Sequence, residues 1–556
     1  MIIGLDVGGT HTDAVLLADD GLRAAVKVPT DANDLFHSVL SGLEQAVRGQ
    51  DPARIRRIVL STTLTTNAIV QSRIGPVGMI VSGGPGIDPE LFRLGDHYVC
   101  VSGAVDHRGR ETEPVDEAQI HAAGQRFRKN GVRHVGVVGK FSVRNPSHEN
   151  RIGRILADDF EQVFLGHRCA GLLNFPRRIA TTYLNAAVYP LYRDFFLAVK
   201  QSLERMGFTV PIRILKADGG NIQFDASLDA PVQTILSGPA ASVMGATVFA
   251  PPDADCLVLD IGGTTTDMAL LVKRIPLLNP LGIEIAGIKT LVRSMEVHSI
   301  GIGGDSTVRI RDGRIVVGPE RSGPAMGYGG AHFTPTDALM ILGRIEDGSP
   351  SRAREGAQPL AAMLGVTVEE AAKAVFVETC RSILDESAAF IERIRQKPVY
   401  TVHEMLDGAT LSPRRILILG GPAEHFAGGL SSLSGWDVEV VPRSPVANAI
   451  GAALARTTSQ VTLFADTELG MASAPEEQFH TGIDRGFSLA DALSLARQLL
   501  CKRAVSWGAN ADTLEMDTVE ALEFNMVRGF RTAGKNIRVT VQVTPGLIRG
   551  YEQRIR

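Results

Sequence analysis

Apolar residues recur along this chain in short runs that stop at glycine, and two of those runs are near-copies of each other. The first, Ile3-Gly4-Leu5-Asp6-Val7, turns at Gly8-Gly9 into Thr10-His11-Thr12-Asp13 and a second apolar run. The other, Val258-Leu259-Asp260-Ile261, turns at Gly262-Gly263 into Thr264-Thr265-Thr266-Asp267 and does the same. Apolar runs on both sides of a Gly-Gly turn predict a β-hairpin. A third strand is predicted over residues 24–28. An amphipathic helix follows from about residue 34 to 47, with Leu35, Val39, Leu40, Leu43 and Val47 on one face. A strand at 57–60 then runs into Ser61-Thr62-Thr63-Leu64-Thr65-Thr66-Asn67-Ala68. One hydroxyl would cap a helix; so many at a strand's carboxyl end predict a ligand-facing loop.

Further on, strands at 77–81, 98–102 and 134–138 alternate with a helix at 116–129, which reads as a lobe inserted into the first domain. Asp106-His107 is a solvated turn within it. A long helix is predicted over 178–206, and a strand at 212–216 meets the polar turn Ala217-Asp218-Gly219-Gly220-Asn221. Two stretches of small residues, after Ser237 and at 446–454, predict closely packed helices where two domains meet. Residues 297–306 are glycine-rich, with His298 and Asp305 near their ends. A hairpin at 308–317, a Gly/Pro-rich loop at 318–332 with the character of a lid, and helices at 336–342 and 368–395 come next. A buried strand at 416–419 ends at Gly420-Gly421, where a turn without side chains would let backbone approach a flat ring. From about residue 457 the pattern changes, with a helix at 489–505 and a strand at 537–543. The expected division is 1–245 (with an inserted subdomain at about 76–170), 246–456, and an appended 457–556.

A length of 556 residues accommodates that division, and 44% hydrophobic with 21% charged residues is ordinary for a globular protein. A formal charge of −4 argues against a nucleic-acid or polybasic membrane surface. The five cysteines are scattered, unlike a disulfide ladder or a cluster site. The chain opens directly on a strand, without the pattern of a signal peptide, and no apolar run approaches the ~20 residues that span a bilayer. The expected location is cytoplasmic.

The chemistry sits on the duplicated stretch. Gly8, Gly9, Gly262 and Gly263 bring backbone N–H groups close to an anion, and Thr10, Thr12, Thr264 and Thr266 add hydroxyl donors. Asp6 and Asp260 suit a hydrated Mg²⁺. Two such turns on two similar lobes would grip one triphosphate from opposite sides.

The order of hairpin, small-residue helix, hairpin, Gly-Gly turn and small-residue helix is similar to that of the actin/Hsp70/sugar-kinase ATPases. More closely, residues 1 to about 454 resemble the A-type, ATP-binding subunit of the hydantoinase/oxoprolinase family. The resemblance implies an α/β fold: two actin/Hsp70-like (ribonuclease H-like) lobes around an ATP cleft, plus a small C-terminal α/β domain. It implies ATP and Mg²⁺ as cofactors, a small-molecule amide, lactam or carbonyl substrate activated by phosphoryl transfer, and then hydrolysis or carboxylation. A separate B-type subunit and a homo-oligomer are the assemblies in view; nucleic acid and membrane are not partners. Asp6, Asp13, Asp260 and Asp267 are the expected catalytic carboxylates, Asp6 and Asp260 the metal ligands, and Gly420 and Gly421 the adenine turn. Thr62, Thr63, Asn67, Asp218, His298 and Asp305 are substrate-side candidates. This chain has Leu60-Ser61 where many relatives have His-Gly, Asp218 where they have Asn, and Asp305 in place of the third glycine of a Gly-Gly-Gly-Ser turn. The altered loops point to a substrate other than hydantoin or 5-oxoproline. A small-molecule kinase and a regulatory ATPase are the competing readings.

Overall fold

The computed structural model describes residues 1–9, 11–31, 34–279, 281–396, 411–551 and 555. Thr10, one of the expected phosphate donors, lies outside them.

Two mixed sheets repeat one plan. In the first, strand Ile2–Val7 is central, antiparallel to His11–Ala18 and parallel to Arg57–Thr62. In the second, Cys256–Ile261 takes that place, antiparallel to Thr266–Val272 and parallel to Arg415–Leu419. Each continues on its parallel side, with Ile212–Leu215 in one sheet and Asp437–Val440 in the other. The registers match as well: Asp6 faces Asp13 across the first hairpin, and Asp260 faces Asp267 across the second. Strand Ile2–Val7 is buried at every position, which explains why its sequence shows no apolar–polar alternation. Helix Leu35–Ala46, capped by the Asp34 carboxylate on the His37 N–H, covers one face of the first sheet.

Helices Ser237–Phe249 and Ala447–Leu454 pack against each other in one core with strands of both sheets. Their approach leaves no room for side chains at the crossing. A Cβ on Gly245 would overlap the Ala447 carbonyl, one on Gly451 would overlap the Gly245 nitrogen, and one on Gly4 would overlap Ala449. Small residues were expected there, and this contact is the reason. Both helices also hang from strand ends through a serine. Ser237 Oγ donates to the Thr62 carbonyl (2.9 Å) and accepts from its N–H (3.2 Å). Ser444 Oγ does the same at Gly420, at 3.3 and 3.1 Å.

A separate four-stranded parallel sheet runs Gln162–Leu165, His134–Gly139, Val77–Ser82, His97–Cys100. Helices Glu117–Lys129 and Ser147–Leu156 cover one face and Phe175–Arg205 the other. Toward the C-terminus, an antiparallel five-stranded sheet (Phe479–Gly482, Met471–Ala474, Gln460–Asp466, Arg531–Val543, Met516–Arg528) packs under helix Leu489–Ser506. No helix among the described residues is long and apolar enough to cross a membrane.

Three expectations need correction. The stretch read as a ligand-facing loop is the end of strand Arg57–Thr62 followed by helix Leu64–Val70. Two of its hydroxyls are spent internally: Thr65 pairs with Thr234 (2.9 Å) and Thr66 accepts from the Leu236 N–H (2.9 Å). The 318–332 loop is pinned rather than loose, because the buried Asp337 carboxylate accepts the N–H groups of Met326 (3.0 Å) and Gly327 (2.7 Å). Helix Pro350–Leu364 was not anticipated; its Pro359 and mixed surface obscure the period.

Gly245→Val is expected to lose about 1–3 kcal/mol of stability by overpacking, read as a lower denaturation midpoint. Gly428→Ala, where a Cβ meets nothing within 4 Å, should shift it little. A Gly245→Val protein as stable as the parent would contradict the tight crossing.

Candidate active site

The two hairpins close identically, with the Gly8 N–H on the His11 carbonyl (3.0 Å) and the Gly262 N–H on the Thr265 carbonyl (2.9 Å). Those two amides are therefore committed to closing the turns, and the amides that could serve an anion are the next ones, at Gly9 and Gly263. A Cβ on Gly9 would meet open space, so that tip stands clear of the protein.

Strand pleat decides which hairpin side chains share a face, because neighbours on a strand point to opposite faces. Asp6 and Asp13 share one face; Val7 and Thr12 share the other. Thr12 is fully buried and its Oγ1 bonds Thr30 Oγ1 at 2.9 Å. Thr266 is likewise buried and donates to the Ile302 carbonyl at 2.7 Å. Both fall out of the expected phosphate-donor set. Thr264, exposed at the second tip, stays in it.

The carboxylates are held crosswise. Asn448, on the helix that follows the second sheet, donates from Nδ2 to Asp6 Oδ2 of the first hairpin (3.3 Å). Ser242, on the helix that follows the first sheet, donates to Asp260 Oδ2 of the second (2.5 Å). Gly420 sits behind Asp260 at φ +102°, where a Cβ would come within 2.7 Å of its Oδ1. Asp13 is paired with Lys27 at 2.8 Å.

Burial pushes Asp6 up to about 7; Ser61 and Asn448 oppose the shift, while the charges of Asp13 and Asp260 add to it. Burial lifts Asp267 to about 6, helped by the charge of Asp260 and opposed by Ser299. Asp13 and Asp260 are raised too, again by burial first. The charge of Asp260 acts on Asp6 and that of Asp13 on Asp260, so the acids of the two hairpins lie within electrostatic reach of one another.

The residues present fit a divalent cation. Asp6 Oδ1 is buried without a hydrogen-bond partner, and of the four carboxylates with raised pKa values only Asp13 has a cation, Lys27, paired with it. Among the described residues no three His, Cys, Asp or Glu side chains form a protein-only cage. That suits a hydrated Mg²⁺ held by one or two carboxylates and completed by phosphate.

The substrate-side candidates divide. Thr62 is buried and accepts the Leu64 N–H (3.2 Å), which removes it. Thr63 and Asn67 are half-buried beyond the first hairpin, bonded to each other at 3.2 Å. Asp218 is buried and saturated by Thr458 Oγ1 (2.8 Å), the Gly220 N–H (3.0 Å), Lys216 (3.3 Å) and Arg293 (3.6 Å). It anchors structure and is not open to a ligand. His298 stacks on Phe390 (5.7 Å between centroids) and approaches Glu386, while its neighbour Ser299 is the residue opposite Asp267. His298 therefore faces away from the acids. Asp305 remains, packed against the second tip with its N–H on the Gly263 carbonyl (2.7 Å). Lys27, Ser242, Ser299, Arg321 and Asn448 escaped the sequence reading. The signal for Ser242 and Asn448 was a lone polar residue in a run of alanines and glycines.

Residues 178–461 match the family described as hydantoinase/oxoprolinase, and residues 2–160 match the hydantoinase/oxoprolinase N-terminal region. The chain is 29% identical to caprolactamase subunit alpha of Pseudomonas jessenii over 420 residues, 66% of this chain and 60% of that one. It is 26% identical to the acetophenone carboxylase gamma subunit of Aromatoleum aromaticum over 452 residues, 70% of this chain and 60% of that one. It thus spans about three fifths of the length of these relatives. The crystal structure of ATP-dependent caprolactamase from Pseudomonas jessenii superimposes with a TM-score of 0.72 at 21% identity, covering 99% of this chain and 88% of that one. At that identity the likeness establishes a shared fold.

The raised acids give a pH signature. A carboxyl whose folded pKa lies above its unfolded value stabilises the fold at low pH, and that contribution is lost as pH rises through the folded pKa. For Asp6 the window runs from about 4 to about 7. Without Mg²⁺, Asp6→Asn is expected to be about 1–4 kcal/mol more stable than the parent at pH 8, with the gain vanishing toward pH 4. Denaturant titrations at several pH values read this directly; an equal effect at pH 4 and pH 8 would rule it out.

Proposed function

The chain belongs to the hydantoinase/oxoprolinase family, and from that premise we propose that it activates an amide, lactam or carbonyl compound by phosphoryl transfer from ATP, leading to hydrolysis or carboxylation. We read it as two actin/Hsp70-like lobes, 1–245 and 246–456, closing on one nucleotide, with 457–556 as a third domain. The observation that carries this reading is the crosswise bonding of Asp6 by Asn448 and of Asp260 by Ser242, which supports treating the two hairpins as one site.

An amide or enol oxygen is a poor leaving group, and phosphorylating it supplies the missing reactivity. Transfer of a phosphoryl group depends on in-line placement and on neutralising spread charge, with little covalent work for the protein. In this proposal the amides of Gly9 and Gly263 and the hydroxyl of Thr264 hold the phosphates. Magnesium on Asp6 and Asp260, through water, supplies the remaining neutralisation when bound. Asp13 and Asp267 orient the attacking oxygen and accept the proton that the amide nitrogen or α-carbon releases as that oxygen attacks phosphorus; the raised pKa of Asp267, about 6, suits proton exchange near neutrality. Gly420 and Gly421 flank the adenine ring. Thr63, Asn67 and Asp305 line the substrate side.

The relatives support a substrate with an unreactive carbonyl, since one is named for a lactam and the other for a ketone. Their names also describe subunits, and with this chain covering about three fifths of them, we propose that a partner subunit completes the reaction. An ATP-fuelled reaction of this kind suits the cytoplasm.

Asp260→Asn is expected to lower ATP turnover at least about 100-fold while circular dichroism stays unchanged. Unaltered turnover would refute the role given to the second hairpin. Product analysis with candidate lactams and ketones, with and without bicarbonate, separates the outcomes. Inorganic phosphate with an opened ring supports hydrolysis, bicarbonate-dependent turnover supports carboxylation, and a lasting phosphoester turns the reading to a small-molecule kinase.

A further inference from the structure

One cation stands at the tip of the second hairpin without belonging to any of the roles above. Arg321 Nη1 donates to Thr264 Oγ1 at 3.0 Å, and its Nη2 donates to Asp305 Oδ2 at 2.9 Å. Both acceptors are themselves fixed to the turn. Thr264 follows Gly263 at the tip, and the Asp305 and Gly304 N–H groups bond the Gly263 and Gly262 carbonyls at 2.7 and 2.9 Å. The backbone carrying Arg321 is tied down on both flanks. The Thr307 N–H bonds the Glu320 carbonyl at 2.8 Å, and Thr307 Oγ1 reaches Ser322 Oγ at 3.5 Å. The guanidinium is thus carried to the turn by a braced loop and does not trail from a free one.

A guanidinium has five N–H donors, and Thr264 and Asp305 engage only two of its nitrogens. With 30% of the side chain exposed, it has donors to offer a ligand without leaving Asp305. It also sets Thr264. A hydroxyl that accepts a bond from Nη1 must turn its single proton elsewhere, so Thr264 is presented as a donor to whatever approaches the tip. Charge points the same way. Asp6, Asp13, Asp260, Asp267 and Asp305 are five acids on or beside the hairpins, and an incoming polyphosphate adds more negative charge. Lys27 answers on the Asp13 side and Arg321 on the Thr264 side.

We propose that Arg321, held by Asp305, is the residue that reads the terminal phosphate of the nucleotide, contacting it directly and orienting the Thr264 hydroxyl toward it. This rests on the nucleotide reading of the cleft and adds to it a basis for telling a triphosphate from a diphosphate. A planar fork suits a phosphate oxygen pair better than an ammonium does.

The test measures binding without turnover. Calorimetric titration of the full chain with Mg²⁺ and either a β,γ-imido ATP analogue or ADP gives two dissociation constants. The parent is expected to prefer the analogue. Arg321→Gln should weaken the analogue about 10–50-fold and leave ADP within about two-fold. Arg321→Lys should recover only part of the loss, since it keeps charge but not the fork. An unchanged melting temperature in both variants excludes a folding defect, as expected for a partly exposed side chain. If the parent binds both nucleotides and Arg321→Gln weakens neither, or weakens both alike, the role of Arg321 is overturned while the nucleotide site stands. If the parent binds neither nucleotide, the reading of the cleft fails and the proposal falls with it.

Discussion

The contact on which everything else depends is the crossing of helices Ser237–Phe249 and Ala447–Leu454, where glycine meets backbone with no side chain between. It does more than join two sheets. At that distance each helix reaches past its own sheet, so that Ser242 lands on Asp260 and Asn448 on Asp6. A bulkier crossing would part the helices, and each hairpin would lose the polar group that fixes its carboxylate. The glycines at 245 and 451 are therefore as much a part of the site as the acids. Their contribution is geometric, and a list of polar residues would not reveal it.

Burying four carboxylates at two neighbouring hairpins is costly. Burial alone raises each of them, and their mutual repulsion raises Asp6 and Asp267 further. The strain is electrostatic and local, so a cation relieves it where it is generated. Under the proposed function, a magnesium nucleotide set between the hairpins would supply that charge to both at once. The serine clamps at the two strand ends, Ser237 on Thr62 and Ser444 on Gly420, tie each helix to its strand.

The duplicated hairpins, the small-residue helices and most strands were legible because their causes are local: glycine turns, unbroken apolar runs, helical period. The failures have a common origin in tertiary partners. Thr12 and Thr266 look like donors in a Thr-x-Thr-Asp string, yet the pleat sends them inward to Thr30 and Ile302. Asp218 looks like a ligand-facing acid until Thr458, more than two hundred residues away, closes over it. His298 is decided by Phe390 on a helix that nothing near position 298 announces. Arg321 was invisible for the opposite reason, since it lies in a glycine- and proline-rich loop that reads as a lid, and only Asp305 and Thr264 give it an address.

The C-terminal sheet, read from sequence as an appended region, is attached through polar contacts to the first sheet. Arg213, on the outer part of the first sheet, donates to Thr457 Oγ1 (2.9 Å) and to the Gly508 carbonyl (2.6 Å). Asn221 Nδ2 bonds the Ala455 carbonyl (2.5 Å), and Lys216 Nζ bonds the Thr458 carbonyl (2.9 Å) beneath Trp507. The junction is buried and charged, with Asp218 at its centre, and unpairing such groups is expensive. Arg293, which reaches both Asp218 and Gln542, ties the same junction to strand Arg531–Val543, so the buried charge of Asp218 is answered from the first sheet, the second region and the C-terminal sheet together.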